Sequence, residues 1–304
     1  MLGAIIGDII GSPYEIVNVY KRRDVKPFKT TLFHGKCRFT DDTALTLAVA
    51  RALVMDTEER NLEVLEQRVA EKLKEYYERY PLGRFGFIGS LYGEGFIQWT
   101  KGDISKRREA YSNGATMRIT SVGWLYPTME ETLEVAEATV VCTHNTEEAV
   151  KASQAVAAII FLARQGHDKK YMQGFVEEKF GYKFYVAGKE IDKIRTRNWE
   201  YRNKNRINGK LINSGAKVTA IDAITAFLIS NSFEDCIRTA ISMGGDSDTI
   251  ACISGGMAEA FYGIPEDWKN KAIAVLKEEG CKEDDLEMIL DFNEKYVSRM
   301  DINK

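Results

Sequence analysis

Apolar residues recur every three or four positions in one segment of this chain after another, and proline almost never interrupts them. Only five prolines occur in 304 residues. A proline inside a helix removes a backbone hydrogen bond and clashes with the preceding turn, so their scarcity leaves room for many uninterrupted helices. The clearest case is 61–79, where Leu62, Leu65, Val69, Leu73 and Tyr76 fall on one face and Asn61 stands where an N-cap belongs. Further helices are predicted over 42–55, 132–141, 147–164, 216–229, 233–242, 249–261, 268–279 and 284–298. Breaks fall near His144 and Asn145, at Asn231-Ser232, and at Gly263-Ile264-Pro265. Only 182–186 reads as a short strand. With no internal repeat and no low-complexity linker, the expectation is all-α: a single compact multi-helix domain spanning 1–304.

Composition narrows the function classes. A net charge of −3 supplies no global field toward nucleic acid or a membrane surface. The most apolar run, 155–163, is too short to span a bilayer, so no membrane partner is expected. Cys37, Cys142, Cys236, Cys252 and Cys281 are odd in number, and no two have C-x-x-C spacing. A disulfide framework or a cysteine zinc site is therefore not expected. The first residues lack a basic stretch, and Asp8 interrupts their apolar run, unlike a secretory signal. Together these features predict a cytoplasmic protein. One segment departs from the average: 187–210 carries eight basic residues against three acidic ones, with Trp199 and Tyr201 among them. It reads as a solvated surface loop or insertion, or as a platform for an anionic partner.

Two acidic clusters carry the chemistry. Phe39-Thr40-Asp41-Asp42-Thr43 precedes the first long helix, and Gly244-Gly245-Asp246-Ser247-Asp248-Thr249 precedes another. Each residue alone could be a helix cap, because Thr and Asp accept hydrogen bonds from free first-turn N–H groups. Adjacent carboxylates nevertheless repel unless a positive charge lies between them. The chemistry is the same in both clusters: hard oxygen ligands of the kind that hold Mg²⁺, Ca²⁺ or Mn²⁺. Asp42 and Asp246 are 204 positions apart. If the fold joins them, one metal ion or a pair must offset their repulsion. A Mg²⁺-dependent phosphohydrolase would use the same carboxylates, but the chain has no P-loop with its lysine.

A third feature opens the chain. Gly3, Gly7 and Gly11 recur every fourth residue. On a helix they form a flat stripe against which a second helix can pack closely. Asp8 lies within this apolar segment and should be buried or paired, holding a metal ligand in place from behind. Glu15 follows at its end.

These motifs resemble those of the ADP-ribosylglycohydrolases. The likeness rests on Gly7-Asp8-Ile9-Ile10-Gly11-Ser12-Pro13-Tyr14-Glu15, Phe39-Thr40-Asp41-Asp42-Thr43, Tyr92-Gly93-Glu94-Gly95-Phe96, Ser112-Asn113-Gly114-Ala115-Thr116-Met117-Arg118, Thr143-His144-Asn145 and Gly244-Gly245-Asp246-Ser247-Asp248-Thr249. Their order along the chain is also the family's. The resemblance implies an all-α fold around a dinuclear centre of two Mg²⁺ (Mn²⁺ as the alternative), with Thr40, Asp41, Asp42, Asp246, Asp248 and Thr249 as ligands. It implies hydrolysis of the glycosidic bond between ADP-ribose and an acceptor nitrogen or oxygen, with Glu15 and Asp41 as candidate bases. Tyr92, Gly93, Gly95 and Phe96, then Tyr111, Ser112, Asn113, Gly114 and Ala115, correspond to loops that hold the ADP-ribose phosphates and distal ribose. His144 corresponds to a histidine near the ligand. The acceptor would be a protein or small molecule, or a nucleic acid if the basic segment contributes. Two departures bear on the acceptor. Tyr111-Ser112-Asn113 replaces a more glycine-rich loop, and 187–210 has no counterpart in the family pattern. The competing reading is a non-catalytic ADP-ribose-binding protein of the same fold.

Overall fold

The computed structural model describes residues 1–20, 31–55, 61–83, 90–184, 194, 206–207, 210–211 and 215–297. For 15–20 and for the two short strands it describes the backbone alone. Helices dominate, as the periodicity predicts. They begin with α1 (Leu2–Tyr20), α2 (Asp41–Val54), α3 (Leu62–Arg79) and α4 (Glu94–Lys101). The middle of the chain forms α5 (Val122–Leu125), α6 (Met129–Ala138), α7 (Glu147–Arg164) and α8 (Lys169–Phe180). Then come α9 (Ala216–Ile229), α10 (Phe233–Ser242), α11 (Ser247–Tyr262), α12 (Glu266–Glu278) and α13 (Glu283–Phe292). Asn61 caps α3 as predicted, its side chain accepting from the Glu63 and Val64 N–H groups. The strand expected at 182–186 does not form over its described part. Tyr182 and Phe184 are instead buried in a small aromatic group with Phe180. Arg206–Ile207 and Lys210–Leu211 pair as a two-residue antiparallel ribbon inside the basic segment, most of which lies outside the described residues.

Three helices of the list were not predicted, α4, α8 and the single turn α5. The first begins inside Tyr92-Gly93-Glu94-Gly95-Phe96, where glycines hide the helical pattern. The second is short and polar, capped by Asp168 at its start and closed by Gly181 in the left-handed conformation at φ 69°. Its Lys169 reaches the end of α9. The ammonium donates to the carbonyls of Phe227 (2.6 Å) and Ser230 (2.6 Å) and to the Tyr262 hydroxyl (2.6 Å), so one side chain ties α8, α9 and α11 together.

At the centre, α1 packs against α11. Residues 1–12 of the first are buried, and so is every residue from Ser247 to Ala260 of the second. Helices with no polar face need neighbours all round, and α2, α7, α9 and α10 supply them. The glycine stripe sets the spacing. A Cβ on Gly3 would collide with the Gly255 carbonyl, and one on Gly7 would lie inside the Ala251 carbonyl and 2.7 Å from the Cys252 nitrogen. One on Gly11 would sit 2.5 Å from Asp248 Cα. The backbones therefore touch along three successive turns, and the third contact falls on an acidic cluster. Glu259 holds the far end, accepting from the Met1 ammonium (2.5 Å) and the Gly3 N–H (2.9 Å). Among the described residues no helix is long and apolar enough to cross a membrane.

A second polar anchor fixes the C-terminal helices. Asp285 of α13 is buried and accepts from the hydroxyls of Tyr76 and Tyr80 and from the guanidinium groups of Arg51 (2.8 Å) and Arg79 (2.9 Å). Burial pushes its carboxyl upward, but those hydrogen bonds and the Arg79 charge outweigh it and hold the group below the usual range.

Two outcomes follow. Gly7→Ala should lower stability by about 3 kcal/mol or more, because backbone rather than a flexible side chain must move. A Tm within a degree of wild type would refute the close packing. Asp285→Asn should cost about 2–3 kcal/mol at neutral pH. A depressed carboxyl stabilises above its unfolded pKa, so this gap should begin to close as pH falls below about 4 and vanish once pH has fallen through the depressed folded pKa. Thermal melts across pH read both quantities.

Candidate active site

The two acidic clusters meet. At the first, Thr40 is the N-cap of α2, and its hydroxyl accepts from the Asp42 N–H (3.2 Å). Asp41 and Asp42 fill the first turn, where the positive end of the helix favours carboxylates. At the second, Gly244 and Gly245 adopt φ 67° and 89°, a left-handed turn that side-chain-bearing residues rarely make. The chain then enters α11 at Asp246, which stands at the N-cap without capping the helix through its side chain. Capping therefore accounts for Thr40 but not for Asp246. The Asp246 carboxylate instead accepts from the Asn113 amide (2.8 Å).

Asp8 lies at the centre of this group rather than at its edge. Its carboxylate is fully buried and accepts from the N–H and hydroxyl of Thr40 (2.8 and 2.7 Å) and of Thr43 (3.1 and 2.5 Å). The α1 helix thus grips the start of α2. Asp8, Asp42 and Asp248, all buried, bring carboxylate oxygens within 4.8 Å of one another. Burial, and then repulsion from Asp8, Asp41 and Asp246, drives the Asp42 carboxyl well above its ordinary range, against a hydrogen bond from Thr249. Asp42 Oδ2 faces the hydroxyls of Thr40 (3.4 Å) and Thr249 (3.3 Å), while Oδ1 is buried without a hydrogen-bond partner.

This donor set suits a hard divalent cation. The Thr40 hydroxyl gives its proton to Asp8, so a lone pair remains on the side facing Asp42. An orphaned carboxylate oxygen in a low-dielectric site is costly; a proton relieves that cost, as the raised Asp42 carboxyl shows, and a divalent cation would relieve it for several carboxylates at once. Thr40, Asp41, Asp42, Asp246, Asp248 and Thr249 all belong to the two converging helix starts. Glu15 occupies α1 seven positions after Asp8, and its side chain lies outside the described residues.

The predicted ligand loops divide. Tyr92 and Phe96 are buried in an aromatic stack with Tyr77 and Trp99, and the Tyr92 hydroxyl donates to the Tyr80 carbonyl (2.9 Å). Gly93 caps α4 and is exposed, while Gly95 is covered by the Arg108 guanidinium. The second loop borders the acidic group directly. Asn113 bonds Asp246, Ala115 is buried behind it, and Ser112 bridges to Gly215. Tyr111 is 59% exposed at the rim. Gly114 lets the loop lie over His144, whose Nε2 is 2.9 Å from the Ser112 hydroxyl. His144 is buried, and its pKa falls well below the usual value through burial and then the charges of Arg118 and Arg108. Sequence reasoning did not assign roles to Arg108, Arg118 or Thr143. Arginines in an acidic protein attract no attention until the fold shows two of them beside one histidine.

The chain is 23% identical to the mouse ADP-ribosylhydrolase ARH3, over 94% of its own length and 88% of that protein's. It is 27% identical to the ADP-ribosylarginine hydrolase Tri1 of Pseudomonas putida (strain GB-1), over 89% and 72%. Among solved structures, an ADP-ribosylglycohydrolase-related protein complex has a chain with the same fold at a TM-score of 0.52 and 20% identity, covering 91% of this chain and 97% of that one. The model of the ADP-ribosylglycohydrolase family matches residues 1–296, and the chain belongs to that family.

Proposed function

We propose that this protein hydrolyses the glycosidic bond joining ADP-ribose to an acceptor nitrogen or oxygen, and that it needs a divalent metal to do so. The observation that carries the reading is the buried carboxylate group around Asp42, with one oxygen left without a partner. Relatives named as ADP-ribosylhydrolase and ADP-ribosylarginine hydrolase support the choice of substrate. Thr40, Asp41, Asp42, Asp246, Asp248 and Thr249 would hold two Mg²⁺, with Mn²⁺ as the alternative. When bound, such ions acidify a water and gather the ribose hydroxyls.

The protein's own groups divide the remaining work. Asp41, half-buried at the start of α2, would take a proton from the attacking water; Glu15 is the other candidate base. The surrounding carboxylates favour the positive character that the sugar acquires as the bond breaks. Asn113 orients Asp246, and Asp8 orients Thr40. The loop of Ser112 and Gly114, with neutral His144 behind it, would face the diphosphate, and Arg108, whose guanidinium covers Gly95 and bonds the Thr143 carbonyl, would add positive charge nearby. The nucleic-acid-linked substrate remains part of the proposal through the basic segment 187–210.

Release of free ADP-ribose from arginine-, serine- and nucleobase-linked substrates, with Mg²⁺ and with EDTA, tests the reaction. Release from one substrate, abolished by EDTA, is expected, and Asp246→Asn should lower it by about 10- to 100-fold. Full activity of D246N would end the metal-centred reading. Binding of ADP-ribose with no turnover of any substrate would favour the non-catalytic one.

The His144 environment gives a separate pH signature. Its folded pKa is depressed, so between that value and the unfolded value near 6.5 the unfolded chain binds a proton that the folded one does not. This contribution therefore weakens stability as pH falls below about 6.5. The His144→Asn variant should show a flatter loss of Tm between pH 7 and 5. Parallel curves would mean that His144 titrates normally.

A further inference from the structure

A buried chain of hydrogen bonds runs behind the candidate ligand loop. Arg118, in the short turn Thr116–Arg118, is 1% exposed. One of its terminal nitrogens donates to the Thr143 hydroxyl (2.6 Å) and the Thr139 carbonyl (3.4 Å). Burial lowers its pKa only to about 10, so at neutral pH it remains a cation that can donate and never accept. The Thr143 hydroxyl lies 2.8 Å from His144 Nδ1, and His144 Nε2 lies 2.9 Å from the Ser112 hydroxyl.

The fixed donor at one end sets the direction of every bond in the row. Thr143 accepts from Arg118, and its single proton has two places to go. The Val140 carbonyl is 3.5 Å away, at the limit of a hydrogen bond, whereas His144 Nδ1 is at 2.8 Å. Donation to Nδ1 makes that nitrogen the acceptor of the neutral ring, so the ring proton sits on Nε2. Nε2 then donates to Ser112, which makes no other side-chain hydrogen bond among the described residues. A serine beside a histidine usually suggests a nucleophile and its base. Here the wiring runs the other way.

We propose that Arg118 and Thr143 are positioning residues that lock His144 as its Nε2–H tautomer, so that Ser112 accepts from His144 and turns its own hydroxyl proton toward a phosphate oxygen of the ligand. The assignment rests on the ADP-ribose reading only for the identity of that oxygen. Ser112 immediately precedes Asn113, which bonds Asp246, so the row ends on the same loop that touches the carboxylate group. Gly114 keeps the arrangement tight. A Cβ there would press against His144 Cε1 and Nε2 at 3.3 and 3.4 Å. The pair is thereby a hydrogen-bond donor for an anion, not an activated nucleophile.

The test begins with the ligand-free, full-length protein labelled with ¹⁵N-histidine. Its three histidines are His34, His144 and His167, and the His144→Asn variant assigns the signals. Long-range ¹H–¹⁵N spectra should show His144 with a bare Nδ1 and a protonated Nε2. Thr143→Val, which keeps the shape but removes the hydroxyl, should shift the ring toward the Nδ1–H form, and Thr143→Ser should restore it. By calorimetry, ADP-ribose should bind about 10-fold more weakly to S112A and T143V, and T143S should recover most of the loss. A protonated Nδ1 in the wild type overturns the proposal, and so does a T143V variant with unchanged tautomer and affinity. Unperturbed tautomer results with no ADP-ribose binding to the wild type would instead sink the ADP-ribose reading and leave the wiring in place.

Discussion

The contact between α1 and α11 is the constraint on which the rest depends. Residues 2–12 of α1 and 247–260 of α11 are buried on all sides, and the two backbones meet because glycine stands at positions 3, 7 and 11 on one and at 255 on the other. Close approach does two things at once. It excludes water from the interface, which is the stabilising term. It also brings Asp8, one residue after Gly7, to the start of α2, and sets Gly11 against Asp248 at the start of α11. The acidic group is therefore a product of helix spacing. A methyl group on the stripe would separate carboxylates that lie within 4.8 Å of one another.

That placement is unfavourable in isolation. Carboxylates in a low-dielectric interior repel and lose hydration, and the raised pKa of Asp42 is the expression of both. The fold offsets part of this with fixed dipoles: two helix N-termini, four donors on Asp8, and the Asn113 amide on Asp246. The Asp42 Oδ1 atom receives none of this help. Elsewhere the same kind of group is fully paired. Asp285 is just as buried and has four side chains donating to it, which is the arrangement expected of a purely structural carboxylate. The contrast between these two aspartates is the strongest physical reason to read one as a brace and the other as a ligand.

Much of this was legible in the sequence. Periodicity located α3, α7, α9 and α10 to within a residue or so, because those helices have clear apolar patterns bounded by a cap at Asn61 and by breaks near His144-Asn145 and at Asn231-Ser232. The glycine spacing foretold close helix packing, and the shared chemistry of the two acidic clusters raised their convergence as a condition that the fold meets. The α8 helix escaped because its surface is mostly polar, and α4 because glycines mask its start. The expectation that Asp8 supports from behind caught its hydrogen bonds to Thr40 but not its place within the acidic triad, which needs the third dimension. The first ligand loop was assigned through the family resemblance alone, and the burial of Tyr92 and Phe96 in an aromatic group is something its glycine-flanked spacing does not foretell.

The polar row behind His144 shows why such sites resist reading by motif alone. Thr143-His144 is visible as a dipeptide, and Ser112 as a neighbour of Asn113, but a histidine has two nitrogens and the sequence says nothing of which is protonated. The answer comes from Arg118, a residue 26 positions away whose side chain has no acceptor capacity. One obligate donor at the closed end of the row fixes every proton out to the open end. The tautomer, and with it whether Ser112 acts as nucleophile or as anion donor, follows from a side chain that never reaches the site.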